Sequence, residues 1–195
     1  LAAVLSPQSP LFAIDGDTVK NHKKGFEIAR NFYENPGSNL IGTEMALQYI
    51  DTVPVTGIVS LDTLFSIPDF RMNERIMHIL TNLREKTTGT MIIQTRKNNA
   101  PVFTHAHRGT LQDFYRDEVA VRKKFKYPPL SFFIKIHFEG SPEDLEKGET
   151  YLEHILERWK TDFFAGLDTP ANGKESMNAL LRLDPSVWPE KELVE

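Results

Sequence analysis

The chain has 195 residues, 40% of them hydrophobic and 26% charged, with a formal net charge of −4 and no cysteine. This composition suits one or two soluble globular domains with a real core, excludes disulfides and thiolate metal sites, and fits a reducing, cytoplasmic setting. No uninterrupted apolar run approaches the ~18 residues of a membrane span, the first residues lack the layout of a secretory signal, and an opening on Leu rather than Met reads as a fragment.

LFAI (11–14) is a short strand running into Asp15-Gly16-Asp17-Thr18, turn and helix-start chemistry in which Asp17 or Thr18 caps the helix that follows. Phe26, Ala29, Phe32 and Tyr33 recur at helical spacing, and Asn35-Pro36-Gly37 stops the helix. NLI (39–41) is a second strand, and GTEMALQYI (42–50) makes a turn and a short helix. VTGIVSLD (55–62) is a third strand, whose nearly continuous apolar character suits a sheet covered on both faces. Residues 71–88 place Ile76, Ile79, Leu80 and Leu83 on a helix, and TMIIQT (90–95) is a fourth strand. Strands alternating with helices predict a parallel, wound α/β sheet, which binds ligands beyond the carboxyl ends of its strands.

The pattern then changes. Residues 101–126 read as one long helical stretch carrying Phe103, Leu111, Phe114, Val119 and Val121, broken by Tyr127-Pro128-Pro129. SFFIKIHFEG (131–140) alternates as a strand, and Ser141-Pro142-Glu143-Asp144 starts a helix that extends to about Trp159 and is rich in Glu. DFFAGLD and MNALLRLD flank a loop containing Asn172-Gly173, predicting a hairpin. A β-α-β-β module thus follows an α/β one, with the boundary between 100 and 127.

Charge is unevenly spread: residues 1–100 carry 10 basic and 10 acidic side chains, and residues 101–195 carry 13 and 17. Within the acidic half lies a basic knot of Arg122, Lys123, Lys124 and Lys126, interleaved with Phe125 and Tyr127. Cations for phosphates and an aromatic for a base are the ingredients of a nucleic-acid contact, and equally those of a solvated helix end complementing the helix dipole. No phosphate-loop pattern occurs, since Gly173-Lys174 is followed by Glu175, and neither G-x-G-x-x-G nor G-x-S-x-G is present. Asp15 and Asp17 suit capping more readily than a cation, and His105-Ala106-His107 lacks further ligands. Thr43 and Asp62, at strand ends, lie where α/β domains bind nucleotides. These patterns do not by themselves name a function.

Read in order, LFAIDGDTVKNHKK, GTEMALQYIDTVPVTGIVSLD, FSIPDFRMNERIMHILTNL, TMIIQTRKNNAPVF and FYRDEVAVRKKFKYPPLSFFIKIHFEG resemble the C-terminal half of the PriA family, the primosomal replication-restart DNA helicases. The resemblance implies part of a RecA-like second helicase lobe, a parallel sheet with helices on both faces, at 1–100. It further implies a connecting helix at 101–126 and a small α+β DNA-binding domain at 127–195. It implies branched or single-stranded DNA as a partner, with single-strand-binding protein and other primosome proteins as further ones, and no membrane. ATP and magnesium belong to the family's full-length parent, whose phosphate-loop lobe lies upstream, and no cofactor is expected in this chain.

The departures carry as much information. The family's Lys-Gly-His/Asp-Phe after GTQM is replaced by Gln48 to Thr52, and "QVAGRAGR" becomes Asn82 to Gly89, with Lys86 and Gly89 at the two arginine positions and Arg84 two positions early. Such an arginine sets a planar charged fork against developing charge in phosphoryl transfer and contributes about 10³–10⁵ in rate, a geometry that lysine cannot offer. The nucleotide-facing candidates are therefore Gly42, Thr43, Asp62 and Lys86, and the DNA-facing ones Arg122, Lys123, Lys124, Lys126 and Tyr127. The leading expectation is a DNA-binding, replication-restart protein whose ATPase motifs are degenerate in this lobe. The alternatives are part of an active ATP-dependent helicase relying on Arg84 or Lys86, and a replisome protein-interaction module without motor activity.

Overall fold

The computed structural model describes residues 9–59, 61–67, 69–166 and 174–188. They form two compact units, one ending at Leu111 and one beginning at Gln112, and the architecture is mixed α/β.

In the first unit, β1 (Leu11–Ile14) pairs in parallel with β2 (Asn39–Gly42) across helix α1 (His22–Glu34). The helix starts later than the sequence suggests. Asn21 is its cap, its side-chain oxygen accepting from Lys24 N–H at 3.0 Å. Asp17 and Thr18 belong instead to a closed Asx turn, in which the Asp15 carboxylate accepts from both their backbone N–H groups and from the Thr18 hydroxyl. Ile14, Ala29, Ala46, Tyr49 and Ile50 form the core of this pair. The short helix expected after Gly42 is the 3-10 helix Glu44–Gln48, and it delivers Tyr49 over the bare backbone of Gly25.

Farther along, β3 (Val53–Ile58) pairs in parallel with β4 (Thr87–Ile93), joined through α2 (Met72–Lys86), which buries Met72, Ile76, Met77, Ile79 and Leu80. The single wound sheet expected from the alternation is not formed: the four strands make two separate parallel ladders, β1–β2 and β3–β4. Tyr49 and Ile50, between the two ladders, are buried in the core of the first pair, and Val53 at the start of β3 packs against it. Nor is β3–β4 covered on both faces, since Val55 and Ile92 are 60% and 58% exposed.

The long helix expected over 101–126 is two helices, α3 (Pro101–Arg108) and α4 (Leu111–Phe125). Gly109 separates them, with the left-handed φ of 70° that an ordinary residue adopts only under strain.

The second unit holds an antiparallel sheet of β5 (Phe132–Gly140), β6 (Asp162–Ala165) and β7 (Glu175–Leu183), in the order β5-β7-β6. Helix α5 (Pro142–Ile155) crosses one face. Its start is as the sequence suggests: Ser141 accepts from Asp144 N–H, and Pro142 takes the first turn. It ends at Ile155 rather than near Trp159, with Glu157–Trp159 forming a 3-10 turn. Register places Ile134, Ile136 and Phe138 beside Leu181, Ala179 and Met177 on the helix-covered face, where Gly148 lets α5 come down on the Phe138 ring. The Asn172-Gly173 turn lies outside the described residues; the strands it was expected to join, β6 and β7, do pair antiparallel.

Candidate nucleic-acid interface

Of the four nucleotide candidates of the first unit, Gly42 and Thr43 lie at the end of β2, while Asp62 and Lys86 lie at opposite ends of the β3–β4 ladder. Gly42 closes β2, where a Cβ would meet Ala46 Cβ at 2.5 Å, and Thr43 N–H donates to Ile14 O at 3.1 Å. Asp62 follows β3 and ties its end to that of β4, accepting from the Thr95 hydroxyl at 2.6 Å and from Arg96 N–H at 2.9 Å. Those bonds, the Thr95 one foremost, hold its carboxyl below the ordinary carboxylate range. Lys86 sits at the other end of the ladder, just before β4, its ammonium donating to Ile50 O at 2.5 Å. The six residues of β3 separate it from Asp62 by about 20 Å. Arg84 donates to Ala106 O at 3.2 Å and lies against Gly109, so it serves the α2–α3 packing. Ligands of parallel sheets bind at the carboxyl ends of the strands, and the cation at the family's first arginine position is at the opposite end. Among the described residues no three acidic or histidine side chains are grouped to hold a metal ion.

The basic knot behaves differently. Three of its members, Lys123, Lys124 and Lys126, are exposed. Arg122 is half-buried and spans the break after α4, donating from Nη1 to Pro128 O at 2.6 Å, while its own carbonyl accepts from Tyr127 N–H at 2.9 Å. It shapes the loop. Lys126 has a left-handed φ of 52°, and its carbonyl accepts from the Ser131 hydroxyl. Asp184, held low chiefly by its bonds from Ser186, also feels the positive charge of Lys126.

This loop positions a ladder of rings and cations. Lys124 Nζ lies 5.3 Å from the Phe125 ring centre, and Phe125 stacks on Tyr127 at 5.7 Å with 25° between planes. Tyr127 meets the Phe133 ring edge-on at 6.0 Å, and the Arg182 guanidinium lies 5.4 Å over Phe133 while pairing with Asp162. Phe125, at one end, is 50% exposed. Tyr127, a sequence candidate, is thus the middle rung, whereas Phe133 and Arg182 are additions. Alternation along β5 was the signal for Phe133. Arg182 could not be found without the register that sets it opposite Phe133. Exposed cations beside rings whose faces are partly open can hold phosphates and stack bases.

No family model matches the chain. It is similar to several proteins described as replication restart protein PriA. That of Borreliella burgdorferi is 28% identical over 167 residues, covering 77% of this chain and 25% of the relative. That of Treponema pallidum is 31% identical over 160 residues, covering 78% and 24%. The Bacillus subtilis protein is 28% identical over 174 residues, covering 86% and 21%. The chain spans about a quarter of the length of these relatives.

Proposed function

We propose that this chain, a divergent member of the PriA replication restart family matching its C-terminal part, serves replication restart in the cytoplasm by binding DNA through its second unit. In this reading the first unit is part of a RecA-like lobe that no longer completes an ATPase site. The ladder from Lys124 through Phe125, Tyr127 and Phe133 to Arg182 carries the DNA-binding half of the reading. The ATPase half rests on Lys86 and Arg84, both engaged with backbone carbonyls inside the lobe. A reading as an active motor requires one of these cations to leave its carbonyl and reach a triphosphate held by another lobe, and nothing in their placement favours that.

The test is binding of fork DNA at two salt concentrations by the intact chain and by a Lys123→Ala/Lys124→Ala/Lys126→Ala variant. Arg122 stays, because its removal would disturb the loop. Loss of three phosphate contacts should weaken binding and reduce the salt slope by about two to three. Affinity and slope unchanged by the triple substitution would refute the basic face, and absence of salt-dependent binding by the parent chain would favour a protein-interaction module instead.

A further inference from the structure

The β5–β7–β6 sheet has one face covered by α5 and one on which the outer strands carry exposed side chains, with Asn178 of the central strand buried between them. On that second face the strand register builds rows. Phe133 stands opposite Arg182; Lys135, Leu180 and Asp162 make the next row; His137, Asn178 and Phe164 make the third. Lys135, His137 and Phe164 are exposed, Phe164 by 44%. The third row presents two rings on either side of an amide: His137 Nδ1 is 3.0 Å from Asn178 Oδ1, its Nε2 is 3.2 Å from Glu139, and Phe164 flanks Asn178 from β6. The polar bonds fix the imidazole. The Phe164 ring is exposed on a strand that has no other neighbour among the described residues.

The charges along this face have a definite order. Arg182 of the first row pairs with Asp162 of the second, and His137 of the third lies 3.2 Å from the Glu139 carboxylate. Lys135 is exposed and shares its row with Asp162, whose carboxylate is engaged by Arg182. The face is continuous with the cation ladder through Phe133 itself, the last ring of the ladder and the first residue of the rows. From Phe133 to His137 is about 13 Å along the strand, a length that about four nucleotides cover at the ~3.4 Å spacing of a stacked strand.

We propose that the DNA path does not stop at the ladder but continues across this sheet face, where Phe164 stacks a base and Lys135 meets the backbone of a single strand. This deepens, and rests on, the reading of the second unit as a DNA-binding one. The occupant is a single strand rather than a duplex, because only unpaired bases can turn their faces to a ring standing on a sheet.

The experiment is fluorescence anisotropy of the intact chain with a labelled oligothymidylate of about twelve nucleotides and with a blunt duplex. Phe164→Leu, which keeps an apolar side chain and removes the ring, should weaken single-strand binding on the order of tenfold, the effect of one lost base–aromatic stack, and leave duplex binding unchanged. Phe164→Trp should restore it, which separates stacking from folding. Lys135→Gln should weaken the single strand several-fold and lower its salt slope by about one. Single-strand affinity unaltered by both Phe164→Leu and Lys135→Gln, with the lysine triple variant of the ladder still weakened, would overturn the sheet path and leave the ladder standing. An unweakened triple variant would overturn the ladder. Equal loss on single strand and duplex would also overturn the stacking role.

Discussion

Replacing Lys86 with Met keeps the aliphatic stem and deletes the ammonium that donates to Ile50 O at 2.5 Å. Hydrogen bonds to charged groups contribute about 1.5–3 kcal/mol net. Lys86 is half-buried, so water can reach the vacated carbonyl and the loss falls to the bottom of that range or just below it, about 1–2 kcal/mol. The bond joins the end of α2 to the backbone ahead of β3. Its loss should therefore open both segments together, lowering hydrogen-exchange protection there by roughly 5- to 30-fold. Hydrogen exchange read by mass spectrometry over the last turn of α2 and over β3 measures this directly. The structural assignment and the nucleotide assignment of Lys86 then separate cleanly. Unchanged protection in Lys86→Met, together with lost nucleotide binding in a longer form of the protein, would refute the reasoning and restore Lys86 as a phosphate ligand.

Other changes test other parts of the framework. Gly25→Ala should lower protection of α1 even though alanine is the better helix former by about 1 kcal/mol, because its Cβ would lie 2.4 Å from the Tyr49 ring and overpacking costs about 1–3 kcal/mol. In a Tyr49→Leu background the sign should reverse, and the same destabilisation in both backgrounds would contradict the packing argument. Leu181→Ala, at a fully buried site in β7, should destabilise the second unit by about 2–5 kcal/mol. Denaturant titration followed by tryptophan fluorescence reads that unit alone, since both tryptophans, Trp159 and Trp188, lie in it. His137 is raised above its ordinary value, first by its bond to Asn178 and then by Glu139. Its contribution is therefore fully present below the unfolded value of about 6.5 and lost as pH rises through the folded one. The melting temperature of the second unit should fall over that interval in the wild-type chain, with the His137 component absent from His137→Gln.

How much of this was legible in the sequence depended on whether the deciding interaction was local. Ser141-Pro142 starts α5 where it was read, because a hydroxyl cap and a proline act within one turn. The alternation of β5 was equally readable, and with it the side of Phe133. Asp15 misled because its carboxylate closes a turn on Asp17 and Thr18, which look the same in sequence as a helix cap; the true cap, Asn21, lies a few residues on. Gly109 was visible as a glycine, but its left-handed φ, which splits the expected long helix, was not. The pairing of four strands into two ladders and the place of Arg182 depend on contacts between distant residues, on which periodicity is silent. The same holds for Lys86. Aligning it with an arginine position revealed the change of side chain but not that the ammonium is spent on Ile50.

The two faces of the second unit differ in sign as well as in cover. Behind the sheet, α5 and the turn after it carry six acidic side chains, Glu143, Asp144, Glu146, Glu149, Glu153 and Glu157, against Lys147 and Arg158, while in front the ladder brings Lys124 and an Arg182 paired with Asp162. The unit is thus an electric dipole laid across a thin sheet. A polyanion approaching it exerts a torque before any contact is made, turning the acidic helix away and the ladder toward itself. If the unit binds a nucleic-acid strand as proposed, neutralising the helix glutamates should act on the association rate and its ionic-strength dependence, and hardly at all on the residence time of the strand.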